Sequence, residues 1–499
     1  MNKISAAAMA LAASLSGSAF ATPASEGVTP TPNPESFLDP TGTIRTYSNA
    51  GRIDTSGAFF QSLGTNGRTC ATCHVAAQAM GISAAGVRAR FLSTRGKDPI
   101  FAPIDGANCP TNPQGSVASH SLLLTSGLIR IPLTLPATAQ FSISVVHDPY
   151  GCAIVPDAAG QPIVSVYRRP LPTTNLNFLS AVMFDGRETI VPLATRGPIF
   201  SANLVTDLTD QASNAITIHA QAASPPSSAQ LADIVNFELG LFTAQQTDVL
   251  AGSLSDGGAL GGALQLSRQA YYPGINDVLG ADPTGAAFNS SSMTLFDSWA
   301  GLSYANAQGL GDLVRITTRK AIAAGETLFN TLPINITNVR GLNDNAALGK
   351  PTTLVGHCTT CHDAPNVGDH SLPLPLDIGT GHSTLASMEP DPQVEAGLQQ
   401  LSMPDLPIYA ISGCPDPFNP TQLAVLYTSD PGKGLITGQC SDLNRVKGPI
   451  LRGLAARAPY FHNGAAANLL QVVNFYNQRF QMSLTPAQKL ELVAFLNSL

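Results

Sequence analysis

The chain has 499 residues, with 26 Lys plus Arg against 33 Asp plus Glu and a formal net charge of −7. Its length supports roughly two to three domains and a large core. The negative balance and the absence of any Lys/Arg run exclude a basic nucleic-acid binder, and a charged share of only 12% excludes a disordered polyelectrolyte.

The first residues read MNKISAAAMALAASLSGSAFA. Lys3 is a short basic start, an Ala-rich apolar stretch follows, and Ala19-Phe20-Ala21 is a small-residue cleavage site. This is the pattern of a secretory signal peptide cut after Ala21, so a periplasmic address is expected. No later stretch is long and apolar enough for a transmembrane anchor. Residues 22–40 are Pro-rich and read as a flexible leader. Residues 54–64 predict a short helix with Phe59, Phe60 and Leu63 on one face. From 122 to 167 the texture changes to alternating β-branched and aromatic residues, as in FSISVVHDPYGC and PIVSVYRR, which predicts a small β-rich insertion. Residues 229–245 predict a helix, 252–262 a Gly-rich loop and 317–330 another helix. The C-terminal LTPAQKLELVAFLNSL predicts a helix with Thr485 as N-cap, Pro486 at the first position and Gln488 completing a capping box.

The eight cysteines are not scattered. Cys70-Ala71-Thr72-Cys73-His74 and Cys358-Thr359-Thr360-Cys361-His362 both read C-x-x-C-H. Two thiols at this spacing can add to the vinyl groups of a haem, with the adjacent His as axial ligand of the iron. Two covalently bound c-type haems are therefore expected, on His74 and His362. The competing readings are a redox C-x-x-C pair and half of a zinc site. Cys109, Cys152, Cys414 and Cys440 remain. They allow three pairings, of which one within each half is the simplest, and buried free thiols are the alternative.

The two haem motifs and the tail LRGLAARAPYFHNGAAANLLQVVNFYN resemble the bacterial di-haem cytochrome c peroxidase/MauG superfamily. Met183-Phe184-Asp185-Gly186-Arg187 is similar to its W-D-G-R element, and Leu208-x-x-Gln211-Ala212 to its L-x-x-Q-A segment. The resemblance implies a mainly α fold of two cytochrome c-like haem domains, with the β-rich insertion in the first. It places an N-terminal haem domain at 41–312, with the insertion around 110–170, and a C-terminal haem domain at 313–499. It implies hydrogen peroxide as substrate at the first haem, and electrons relayed through the second from a small cytochrome c or cupredoxin. It also admits a homodimer.

The departures from the pattern are specific. The family's inter-haem Trp is Phe184. The family's Met fourteen residues after the APYFH histidine is Tyr476, as in the MauG branch, and would be the sixth ligand of the second iron. A packed aromatic is the other reading, with Met388, Met403 and Met482 as alternative ligands. The family's distal Glu falls on Gln221, so the nearest titratable side chain is His219. It is expected as acid–base catalyst beside Gln211, with direct ligation and a plain surface role as alternatives. Arg187 and Arg452 are expected partners of haem propionates. The positions equivalent to two ligands of the family's structural calcium are Arg169 and Arg457, which makes calcium doubtful. The rival functions are a MauG-like oxidase of a protein or organic substrate and a non-catalytic electron-transfer cytochrome.

Overall fold

The computed structural model describes residue 33 and residues 35–192, 201–280, 282–365, 367–368, 374–383 and 391–499. The expected signal peptide and Met388 lie outside the described residues. The expectation of a mainly α chain is overturned. The structure is 32% helix and 18% strand, and among the described residues the strands form four sheets. Several of the added strands pair with distant segments, as β2 (Gly42–Ser48) does with β7 (Leu241–Asp248), so a local periodicity window does not see them.

The first sheet has four strands. Strands β1 (Glu35–Asp39) and β2 (Gly42–Ser48) form a hairpin over a stretch whose composition reads as leader. The helix expected at 229–245 stops early, at Ser228–Leu239. Gly240 ends it, and the chain continues as β7 (Leu241–Asp248), paired antiparallel to β2, and then β8 (Gly252–Ser253).

Strands β3 (Ile129–Thr134), β4 (Ser142–His147), β5 (Ile154–Pro156) and β6 (Pro162–Arg168) arise in the insertion. Three make the sheet β3-β6-β5. Strand β4 leaves that group. After the short ladder of β9 (Ile334–Ile336) and β10 (Leu354–Gly356), the second half supplies β11 (Ile408–Pro415) and β12 (Leu423–Thr428). These take up β4 in the order β12-β11-β4. A shared core of Val164, Val166, Tyr409, Ile411 and Leu435 then joins the two halves of the chain. The Tyr409 hydroxyl donates to the Ser165 carbonyl at 2.6 Å across this seam. Disulfides Cys109–Cys152 and Cys414–Cys440 close the two β-rich stretches.

The largest core cluster lies between the Leu310–Thr331 helix and the C-terminal Pro486–Asn497 helix. The latter starts as expected, with reciprocal Thr485–Gln488 capping. The helices meet closely at Gly325, where a Cβ would run into the Glu491 carbonyl. Trp299 is fully buried here, under the Arg319 guanidinium, and its indole N–H donates to the Asp256 carbonyl. No helix among the described residues is long and apolar enough to cross a membrane.

Candidate functional site

The two C-x-x-C-H segments fold into the same turn. Cys70–Thr72 and Cys358–Thr360 are single 3-10 turns. In each, the third-position Thr hydroxyl accepts from the backbone N–H before the first Cys, at 3.0 Å for Thr69 and 2.8 Å for His357. In each, the motif His N–H donates to the carbonyl of the first Cys, at 3.0 Å and 2.9 Å. None of the four motif cysteines is in a disulfide, so neither motif is a C-x-x-C disulfide. Among the described residues no three His, Cys, Asp or Glu side chains cluster as a metal site, so a zinc reading finds no further ligands.

Each turn opens on its own cavity. His74 Nδ1 faces the Met80 carbonyl at 3.2 Å, across a left-handed turn at Ala79 and Met80. That contact puts the ring proton on Nδ1 and leaves the Nε2 lone pair for a metal. Burial lowers the pKa of both His74 and His362 to about 4, so both are neutral, the form that ligates. Paired thiols, a neutral imidazole and an apolar-lined cavity at each turn fit a covalently held haem.

In the first cavity, Leu208, Gln211, Ala212 and Ala215 line one face of the Leu204–Ile218 helix. His219 caps its C-terminus and also lines the cavity. Gly64 lets the 64–66 loop close on Ala220 there, where a Cβ would collide with the Ala220 carbonyl. Asn66 then donates to the His219 carbonyl at 2.8 Å.

Sequence reasoning missed two carboxyls here. Asp105 is buried and ion-paired to Arg68, and its Oδ2 lies 2.5 Å from His219 Nδ1. Burial would raise the Asp105 pKa, but the His219 hydrogen bond and the Arg68 charge more than offset this and hold it below the carboxylate norm. Asp105 is 114 residues from His219 and carries no local signal. Glu238 is 4% exposed, lines the same cavity, and its Oε2 has no hydrogen-bond partner. Burial pushes its pKa up to about 8. Its signal was readable: four residues after Ile234, it falls on the apolar face of its helix.

In the second cavity, the Leu469–Arg479 helix directs Tyr476 toward Cys358 and Cys361. Burial raises the Tyr476 hydroxyl well above the phenol norm, and its ring stacks on Phe480. Met482 lines this cavity too, whereas Met403 packs behind it with Val394 and Phe475.

Phe184 lines both cavities, and its ring lies 6.1 Å from that of His462. Arg187 lines the first cavity and is held by Asp185, with Nη1 2.8 Å from Oδ2. Arg452 lines neither. It is buried with Nε and Nη2 on the Pro365 carbonyl, at 3.0 Å and 2.6 Å.

No family model matches the chain. Over 151 residues it is 32% identical to a cytochrome-c peroxidase IdrP2 of Denitromonas iodatirespirans, a match covering 29% of this chain and 36% of that protein. Over 149 residues it is 32% identical to a cytochrome-c peroxidase IdrP2 of Pseudomonas sp. (strain SCT), covering 28% and 35%. The match spans about a third of the length of these curated relatives. Over that stretch the chain is cytochrome-c-peroxidase-like.

Proposed function

We propose that the chain is an exported di-haem c-type oxidoreductase that reduces hydrogen peroxide at the first cavity. Electrons enter by the second cavity from a small cytochrome c or cupredoxin. The observation that carries this reading is the C-x-x-C-H turn built twice, each on its own cavity, with Phe184 in the wall between them. The haem, when bound, supplies the iron chemistry that splits the O–O bond. The chain's own residues manage binding and protons. Cys70 with Cys73, and Cys358 with Cys361, hold one haem each, and His74 and His362 are its protein ligands. His219 takes a proton from the near peroxide oxygen and returns it to the far one, so that two electrons and two protons yield two waters. Asp105 fixes the ring of His219 by its Nδ1 contact and leaves Nε2 for the peroxide. Gln211 orients peroxide through its amide. Arg187 is the propionate partner in this cavity.

Tyr476 in the second cavity supports a second reading, a MauG-like oxidase of a protein or organic substrate. A phenolate ligand favours ferric iron and opposes uptake of electrons from ordinary donors. Electronic and EPR spectra of the oxidised and half-reduced protein, followed by peroxide, separate the two. A high-spin iron together with donor oxidation on turnover establishes the peroxidase. Two low-spin irons that bind no added ligand at any redox state defeat both enzyme readings.

A further inference from the structure

We propose that Arg169 and Arg457 form a carboxylate-binding site in the wall between the two cavities, which holds the acidic side groups of the bound haems by fixed guanidinium charge instead of a metal ion. This rests on the di-haem reading above.

Arg169 lines both cavities and Arg457 lines the second. They are 6% and 9% exposed. Arg169 donates to three carbonyls: Ser126 at 3.0 Å, Ile82 at 2.5 Å and Arg457 at 2.7 Å. Arg457 donates to the Ile450 carbonyl, and its Nε has no partner. Among the described residues neither guanidinium has a carboxylate within ion-pair distance. The neighbouring Arg168 shows that this is particular to the site, because it holds both Asp185 and Asp430.

Two buried cations side by side, without a counterion, cost far more than carbonyl contacts return. Burial lowers the pKa of Arg169 to about 9, with Arg457's charge adding to the effect, and burial lowers that of Arg457 to about 10. An incoming carboxylate removes that cost, and the planar guanidinium fork matches its two oxygens. Haem carries two propionates on one edge, so each cavity would bring acids to this wall. A divalent cation arriving here would meet two fixed positive charges.

The test uses the holoprotein, Arg169→Gln, Arg457→Gln and the charge-keeping Arg169→Lys. Pyridine haemochrome counts the haems, and spectroelectrochemistry reads both midpoint potentials. Loss of positive charge beside a propionate favours the ferric state. Arg169→Gln should lower both potentials, by about tenfold in the ferric/ferrous ratio (~59 mV). Arg457→Gln should lower mainly that of the second haem, and Arg169→Lys should restore most of the loss. Two haems with unmoved potentials overturn this inference alone. Fewer than two haems in the unaltered chain overturn the di-haem reading and this site with it. Should the Gln variants not fold, the unaltered holoprotein still decides. Stoichiometric calcium uptake after chelation, with a shift in its spectrum, overturns the proposal, and no uptake supports it.

Discussion

Arg168 and Asp430 stand 262 residues apart in sequence and meet as a two-pronged pair, with Nε 2.6 Å from Oδ2 and Nη2 2.9 Å from Oδ1. Arg168 ends β6 and also holds Asp185, beside Phe184 in the wall of both cavities. Asp430 follows β12, and its Oδ2 lies 3.6 Å from His462 Nε2. One buried guanidinium thus ties the insertion, the Phe184 segment and the second half of the chain together.

Removing that guanidinium leaves buried Asp430 without a cationic partner and Asp185 with Arg187 alone. Arg168→Met should therefore destabilise the protein by about 3–5 kcal/mol, read by chemical denaturation at pH 7. Burial pushes the Asp185 and Asp430 pKa values up, but the Arg168 charge more than offsets it and leaves both below their ordinary 3.8. The pair's contribution is complete above that value and is lost as pH falls through the lower folded value. The variant's deficit should shrink in strong acid. An equal deficit at all pH values would show that packing, not charge, is what Arg168 supplies.

His219→Ala should lower peroxide-dependent oxidation of a reduced donor by roughly 10²–10⁴-fold, the usual worth of a positioned acid–base group. Asp105→Asn should cost less, because it loosens the ring without deleting it. The two losses should not add, since Asp105 acts through His219. Additive losses in the double variant would separate Asp105 from His219.

What could be read in the sequence was local. Thr485 and Gln488 identify the C-terminal helix because capping involves residues three apart. The C-x-x-C-H turns are legible because one Thr hydroxyl and one carbonyl close each of them. Strand β7 was not legible: Leu241 and Phe242 extend an apolar helical stripe, and only pairing with Tyr47 and Ser48 makes them strand. Strands β11 and β12 sit in a Pro/Gly-rich stretch and take their partner β4 from the first half. Asp105 and the two-sided placement of Arg169 depend on that long-range closure, so neither carries a signal along the chain.

On the reading in which Tyr476 ligates the second iron, Tyr476→Phe should change that haem's electronic spectrum and raise its potential, because losing a phenolate ligand favours ferrous iron. The first haem's bands should stay as they are. Met482→Leu is the control, since Met482 lines the same cavity. A spectrum altered by Met482→Leu but not by Tyr476→Phe would make the thioether the ligand and the tyrosine a packed aromatic on its helix.

Glu238 sets a pH dependence of the opposite sign to that of Asp185 and Asp430. Burial without a partner raises its pKa from 4.5 to about 8, so the folded protein holds a proton that the unfolded chain releases near 4.5. Its cost to stability is absent below 4.5, grows as pH rises and is complete above about 8. Glu238→Gln keeps the shape and removes the charge. It should match the parent near pH 4 and exceed it by about 1–3 kcal/mol at pH 8–9, the scale of an unsatisfied buried polar group. Denaturation of both holoproteins across that range measures the difference. A constant difference would mean that Glu238 does not change protonation on folding. A difference that grows with pH would establish a protonated carboxyl beside the first cavity at neutral pH, a proton store within the same walls as His219.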